Sequence, residues 1–99
     1  MLENKVFWSS TALKEFGKVI DYIRQDSFRN AESVYTKVIN KLDTVANNPG
    51  MCPPDKYKRH NSGNHRAFTI YRYRVSYRIE DEGIRILRIR HSSMKAKYY

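Results

Sequence analysis

The stretch RYRVSYRIEDEGIRILRIRH, residues 72–91, alternates its side chains with a period of two on each side of an acidic turn. The first half, taken from residue 71, contains two alternating sets of side chains. One set is Tyr71, Tyr73, Val75, Tyr77 and Ile79, and the other is Arg72, Arg74, Ser76 and Arg78. Such alternation is typical of a strand with one buried face. The segment EDEG, residues 80–83, predicts a hairpin turn into the next strand. We therefore expect two antiparallel strands that carry arginines on one face and core residues on the other.

The alternation is interrupted at two places. Phe68 and Ile70 lie in the opposite phase, so we expect a turn or bulge near residues 71 and 72, although no glycine marks it. In the last strand the pattern slips at residues 86 and 87. The slip indicates either a strand covered on both faces or a β-bulge.

The first half of the chain has helical periodicity. After a short apolar strand at residues 5–8, Ser9 or Ser10 offers an N-cap, and Asp26 with Ser27 offers a second. Apolar residues recur three and four apart behind each cap, at Leu13, Phe16, Ile20 and Ile23 and then at Ala31, Tyr35, Val38, Leu42 and Val45. Gly17 indicates close packing of the first helix against a neighbour, and NNPG, residues 47–50, ends the second. These stripes predict two antiparallel helices with core-facing sides.

The predicted order is β-α-α-β-β-β, an α+β fold in which a helical hairpin packs on a small twisted, mostly antiparallel sheet. A chain of 99 residues with 29% charged and 40% hydrophobic residues fits one globular domain, residues 1–99. The lone Cys52 excludes a disulfide framework and a cysteine metal cluster. No apolar N-terminal stretch resembles a signal peptide or membrane span, so we expect a cytoplasmic protein without a membrane partner.

Positive charge is concentrated in the second half of the chain. Residues 1–50 hold seven Lys/Arg and six Asp/Glu, a balance of +1, whereas residues 51–99 hold twelve and four, a balance of +8. Eight of the ten arginines lie in the second half. A one-sided positive field favours an anionic partner, either a phosphate backbone or an acidic protein. The alternative is a basic, soluble surface that has no partner.

The predicted strands bring many arginines together: Arg66, Arg72, Arg74 and Arg78 on one hairpin and Arg85, Arg88 and Arg90 on the next strand. Antiparallel pairing places several of them on one sheet face, where they repel unless an anion or acidic chain neutralises them. The alternative is a solvated strand face. The interleaved Tyr71, Tyr73 and Tyr77 are in phase with the core, so we expect them to be buried and not to stack on bases.

Other chemical signatures are weak. His60, His65 and His91 lack the paired spacings of zinc sites, so we expect no metal and no cofactor. No glycine-rich phosphate loop or nucleophile elbow is present in the sequence. The acidic residues 80–82 are more simply a solvated turn than a carboxylate pair for acid–base work.

Two segments carry a family resemblance. The segment YRVSYRI, residues 73–79, resembles the YR-apolar-x-Y strand of the RelE/ParE superfamily, small bacterial toxins of type II toxin–antitoxin modules. The segment HSSM, residues 91–94, is similar to the H-x-S-M tail of ParE-type members, as is NPGM, residues 48–51. The resemblance extends over nearly the whole chain. It implies the RelE/ParE-like fold and a toxin that a cognate antitoxin holds inactive in a hetero-oligomer.

ParE-type members are inhibitors of DNA gyrase without a catalytic site, and this branch is our first hypothesis. The antitoxin of such a module wraps its toxin with a C-terminal segment that we expect to be acidic. The residues that we expect to bind the antitoxin or the target are basic: Arg72, Arg74, Arg78, Arg88, Arg90 and Lys95.

RelE-type members are similar to metal-free ribonucleases that cut mRNA on the ribosome, and this branch is our alternative hypothesis. The resemblance then implies a phosphate-binding role for Arg74 and a proton-transfer role for Tyr98 or Tyr99. Metal-free RNA cleavage also needs cations and proton-transfer groups, for which Arg66 and His91 are the further candidates. The branch's basic pair falls at His65 and Ala67, so one lysine is replaced and the other is lost. Its tail arginine is also missing, with Lys95 and Lys97 as approximate substitutes.

Two further readings stay open at this point. The whole chain could be a basic nucleic-acid-binding module with no toxicity. His91, an imidazole at the end of a basic strand, could instead hydrogen-bond the backbone where the last strand ends.

Overall fold

The computed structural model describes residues 4–99, and the first three residues of the expected 1–99 domain lie outside this range. Along the chain lie β1 (Lys5–Trp8), α1 (Ser10–Asp26), α2 (Phe28–Asn47), a 3₁₀ turn (Pro49–Met51), β2 (His65–Ile70), β3 (Tyr73–Glu80) and β4 (Gly83–His91). The α+β order β-α-α-β-β-β is therefore confirmed.

The four strands form one sheet in the order β1-β4-β3-β2. β1 pairs in parallel with β4, while β4 with β3 and β3 with β2 pair antiparallel. The helical hairpin covers one face, and we call the opposite face, which bears Arg74, Ser76 and Arg78, the open face.

The expected turn between β2 and β3 lies at residues 71 and 72. Tyr71 adopts a positive φ of 53°, a conformation uncommon for residues other than glycine. Tyr71 and Arg72 therefore belong to the turn and not to a strand face. The prediction of Tyr71 as a core residue is wrong, because the turn carries its side chain out to 48% exposure. Tyr77 is fully buried, and Tyr73 packs against the core while partly exposed.

The slip in β4 corresponds to a β-bulge. Ser76 pairs with Arg88 but the next residue, Tyr77, pairs with Ile86, so Leu87 is the extra residue. β1 ends beside this bulge, and α1 then covers the exposed edge of β4. Ser9 Oγ donates to the Leu87 carbonyl, and the Glu15 carboxylate accepts from the Ile89 N–H. The bulge thus lies where the edge of β4 passes from a strand neighbour to a helix neighbour.

A serine caps the N-terminus of each helix. Ser9 Oγ accepts from the Ala12 N–H, and Ser27 Oγ accepts from the Asn30 N–H, which satisfies two backbone donors that the first helical turns leave free. Asp26 is the last residue of α1 and does not take part in the second cap.

The core lies between the helical hairpin and the sheet. Its fully buried side chains include Leu42, Val45, Val75, Tyr77, Ile84 and Ile86. Three expectations at the helices are wrong. Leu13 and Tyr35 lie at the margins of their apolar stripes and remain 59% and 49% exposed. Apart from its chain neighbours and the backbone of its own helix, a Cβ on Gly17 would meet no atom within 4 Å, so Gly17 does not mark close packing. Within residues 4–99, neither helix has the length and apolar character needed to cross a membrane.

Candidate functional site on the open face

The loop between α2 and β2 runs along the outer edge of β2 and forms one side of a candidate binding site on the open face. The Asp55 N–H donates to the His65 carbonyl, and the Ala67 N–H donates to the Pro53 carbonyl. Asn61 folds the rest of the loop, since its side-chain amide donates to the His65 carbonyl and accepts from the Gly63 N–H. The loop therefore has a fixed path that brings Asp55 to the open face.

Asp55 is the buried centre of this site, with only 2% of its surface exposed. Its carboxylate accepts three hydrogen bonds: from Arg74 Nη2 at 2.7 Å, from the Tyr57 N–H at 3.0 Å and from the Tyr99 hydroxyl at 2.7 Å. Burial by itself raises the pKa of Asp55, but the bonds from Tyr99, Tyr57 and Arg74 outweigh burial and lower that pKa below its ordinary value. We call Asp55, Arg74 and Tyr99 the clasp.

The clasp holds the end of the C-terminal tail, residues 92–99, against the loop. Besides its hydroxyl bond, Tyr99 donates its N–H to the Tyr57 carbonyl, and its own carbonyl accepts from the Arg59 N–H. Burial, together with the bond to Asp55, raises the pKa of Tyr99. Tyr98 is 62% exposed, and its ring meets the Tyr57 ring edge-on at 5.4 Å between centroids. The tail is thus held at its far end by backbone and side-chain bonds.

Tail, loop and sheet together form a cavity of about 660 Å³ on the open face. Among residues 4–99, its lining includes five cationic side chains, those of Lys56, Arg74, Arg88, Arg90 and Lys97, and one carboxylate side chain, that of Asp55. Leu87, Met94 and Ala96 provide apolar wall. A cavity of this size, partly apolar and with converging polar groups, is typical of a ligand site.

Much of the expected arginine repulsion is relieved within the chain. Glu80 accepts from both Arg78 and Arg85, and Glu15 pairs with Arg88. The expectation that Glu80 is part of a solvated turn is wrong, because its side chain is only 23% exposed and bridges two guanidinium groups. The hydrogen bonds from Arg85 and Arg78 lower the pKa of Glu80.

Three of the four expected catalytic residues, Arg74, His91 and Tyr98, line the cavity. Arg66 lies outside it, and its guanidinium donates to the carbonyls of Gly50, Cys52 and Gly63.

His91 ends β4 with local contacts. Its Nδ1 accepts from the Ser93 N–H at 3.1 Å and lies 2.6 Å from Ser93 Oγ. Its ring meets the Tyr73 ring edge-on, with 5.4 Å between centroids. His91 therefore makes a backbone hydrogen bond at the end of the strand, while other parts of the ring remain beside the cavity.

Three of the six expected binding residues line the cavity, and the other three lie at separate places. Arg74, Arg88 and Arg90 line the cavity. Arg72 is exposed in the β2–β3 turn, Arg78 lies at the opposite end of β3, and Lys95 is exposed in the tail. The structure thus brings half of this set together around one cavity.

The sequence reasoning missed Asp55 and Glu15. Asp55 follows two prolines, in a half of the chain that has twelve basic residues and only four acidic ones. An isolated acid in so basic a segment was an available signal for an internal partner of an arginine. Glu15 had no such signal, because its position on a polar helix face is ordinary.

Within residues 4–99, no cluster of three or more His, Cys, Asp or Glu side chains has an arrangement that would hold a metal ion. The site offers cations, hydroxyls and one engaged carboxylate, a set suited to binding oxyanions.

The chain was matched to a known family. The family model described as ParE toxin of type II toxin-antitoxin system, parDE, matches residues 6–96. No curated protein gives a significant match. The matched range contains both helices, Asp55, Arg74 and Arg90, and it ends before Tyr98 and Tyr99.

Proposed function

Since the chain belongs to the ParE toxins of type II toxin–antitoxin systems, we propose that it binds and inhibits DNA gyrase in the cytoplasm. We propose further that a cognate antitoxin with an acidic C-terminal segment neutralises it in a hetero-oligomer. The family match over residues 6–96 is the observation that carries the proposal.

The geometry of the clasp supports a binding role over a catalytic one. A metal-free nuclease needs a cation for the phosphate and groups that are free to move protons. Here Arg74 and the Tyr99 hydroxyl are both occupied by Asp55, and His91 Nδ1 is engaged by Ser93. A protein-binding toxin has no such requirement.

A supercoiling assay tests the gyrase proposal. Purified toxin should inhibit supercoiling of relaxed plasmid by gyrase, and the product of the adjacent reading frame, added in equal amount, should restore it. Full supercoiling at toxin concentrations that arrest growth in cells would contradict the proposal.

Substitution of an arginine that pairs with no carboxylate among residues 4–99 tests antitoxin binding. Arg72 is exposed and has no acidic partner among residues 4–99, so Arg72→Glu should weaken the complex without disturbing the fold. The loss should shrink as salt rises. Arg74→Glu should weaken it too, but this change also disrupts the clasp. Arg29→Glu, at the start of α2, is the matched control, and an equal loss there would indicate only a net-charge effect.

A RelE-like endoribonuclease is the second candidate, because Arg74, His91 and Tyr98 line one cavity. Translating ribosomes with mRNA should then be cleaved by the wild type, and His91→Ala should lower the rate about 10²–10⁴-fold if His91 transfers a proton. Arg74→Ala should lower it as well. No cleavage by the wild type, together with gyrase inhibition, would end this candidate. A non-toxic nucleic-acid-binding module is the third candidate, and the family match favours a toxin over it.

A further inference from the structure

Two pairs of arginines face each other across β3 and β4. Arg78 is the register partner of Arg85, and Arg74 is the register partner of Arg90. Cross-strand partners project from the same face of a sheet, and like charges placed directly opposite are destabilising. A nearby anion would therefore stabilise each pair.

The first pair has its anion within the chain. Glu80 Oε2 accepts from Arg78 Nη2 at 2.6 Å and from Arg85 Nε at 2.9 Å. One carboxylate oxygen thus bridges both guanidinium groups and converts a repulsive pair into a stable cluster.

The second pair is only half neutralised. Asp55 Oδ1 bonds Arg74, and Oδ2 is taken by the Tyr99 hydroxyl. Arg90 is half-buried, lines the cavity and has no carboxylate partner among residues 4–99. Arg90 is thus the cation of this pair that is left to an external ligand.

We propose that the cavity binds a small oxyanionic molecule, a phosphate or carboxylate compound. Its charged group would pair with Arg90 as the Glu80 carboxylate pairs with Arg85. A guanidinium fork can donate paired hydrogen bonds to a phosphate group or to a carboxylate group. The cavity of about 660 Å³ exceeds the needs of a bare ion, and Leu87, Met94 and Ala96 would contact the ligand's uncharged part. This site goes beyond the proposed toxin function and does not depend on gyrase or an antitoxin.

Calorimetric titration of the full chain at constant ionic strength tests the proposal. The probes are inorganic phosphate, adenosine monophosphate and citrate, with sodium chloride as the blank. We expect saturable, one-to-one binding of at least one probe, about tenfold weaker in Arg90→Gln and in Arg90→Lys, which keeps the charge but not the fork. Arg85→Gln, which changes the arginine already bridged by Glu80, should leave binding within about twofold.

Each result of the titration either supports or contradicts the proposed oxyanion site. Binding of the phosphate probes alone assigns the site to phosphorylated compounds, and binding of citrate alone assigns it to carboxylates. Absence of saturable binding in the folded wild-type protein would overturn the proposal. Equal weakening in Arg85→Gln and Arg90→Gln would overturn it too, because it would show diffuse charge attraction. Neither result bears on gyrase inhibition, which the supercoiling assay measures separately.

Discussion

The Asp55 carboxylate lies 2.7 Å from the Arg74 guanidinium, and this ion pair joins the loop before β2 to an interior strand of the sheet. The side chain of Asp55 is 1% exposed and that of Arg74 is 26% exposed. Such a pair does not by itself add much stability, but removing one partner leaves a buried charge uncompensated. Because Tyr99 bonds the same carboxylate, the clasp couples loop, sheet and tail.

Asp55→Asn should lower the free energy of unfolding by about 1–3 kcal/mol, since Arg74 loses its counter-charge and the Tyr99 hydroxyl loses a charged acceptor. The expected loss is smaller than that for a fully buried pair because water reaches part of Arg74. Urea unfolding followed by circular dichroism measures it. Asp81→Asn, in the exposed turn between β3 and β4, is the control and should change stability by less than about 0.5 kcal/mol. Equal effects of the two changes would contradict the role given to Asp55.

The lowered pKa of Asp55 predicts a specific dependence of stability on pH. As the pH falls, the unfolded chain protonates Asp55 first, near its ordinary value of 3.8, whereas the folded chain resists protonation. The contribution of Asp55 is therefore fully present above that value and is lost as the pH falls through the lower, folded pKa. Urea unfolding of wild type and Asp55→Asn from pH 7 to pH 2.5 should give curves that converge only at the acid end.

Two other groups contribute to this pH dependence in both proteins. Burial, with the positive charges of Lys58 and Arg78, lowers the pKa of His65, so stability also declines as the pH falls below 6.5. Arg85 and Arg78 lower the pKa of Glu80, so stability declines further at acid pH as Glu80 is protonated. The Glu80 contribution cancels in the difference between wild type and variant. The His65 contribution cancels only in part, because the Asp55 charge raises the pKa of His65 and Asp55→Asn removes that charge. This effect lies around and below pH 6.5, above the acid range in which Asp55 itself is protonated. A difference that stays constant across the whole range would contradict the assignment to Asp55.

The sequence predicted the parts of this fold that follow from periodicity. The alternation through β3 identified its core face, and the slip at residues 86 and 87 located the bulge. A bulge and a doubly covered strand give the same pattern, so the sequence could not choose between them. The sequence could not predict the contacts of the clasp, for a different reason. Asp55 meets Arg74 and Tyr99 across 19 and 44 residues of chain, and periodicity reports the face of a residue but not its distant partners.

Gly83 is the position in the sheet where a side chain should be most damaging. Its φ is +151°, and a Cβ there would lie 1.8 Å from the Lys5 carbonyl oxygen of the paired strand β1. Gly83→Ala should therefore separate β1 from β4 and lower the free energy of unfolding by about 2–5 kcal/mol. Gly17→Ala is the matched control. The added Cβ of Gly17 would meet no atom of another element within 4 Å, so this change in α1 should raise stability by about 0.5–1 kcal/mol.

Thermal unfolding of both glycine variants measures these opposite shifts. Amide exchange of residues 5–8 adds a local check, since it should accelerate in Gly83→Ala alone. A Gly83→Ala protein with wild-type stability and exchange would show that the two strands separate without cost, contrary to the expectation from their pairing.

Tyr99→Phe should release the tail without removing its aromatic ring. The hydroxyl of Tyr99 donates to a buried carboxylate, a bond of the charge-assisted class that contributes about 1.5–3 kcal/mol. Because the tail can open by itself, we expect a local effect: amide exchange at Tyr99 and Arg59 should accelerate about tenfold or more. Tyr98→Phe is the matched control, since Tyr98 is 62% exposed and its ring contact with Tyr57 survives the loss of the hydroxyl. Hydrogen exchange read by NMR distinguishes the two variants, and equal acceleration in both would show that the Tyr99 hydroxyl does not hold the tail.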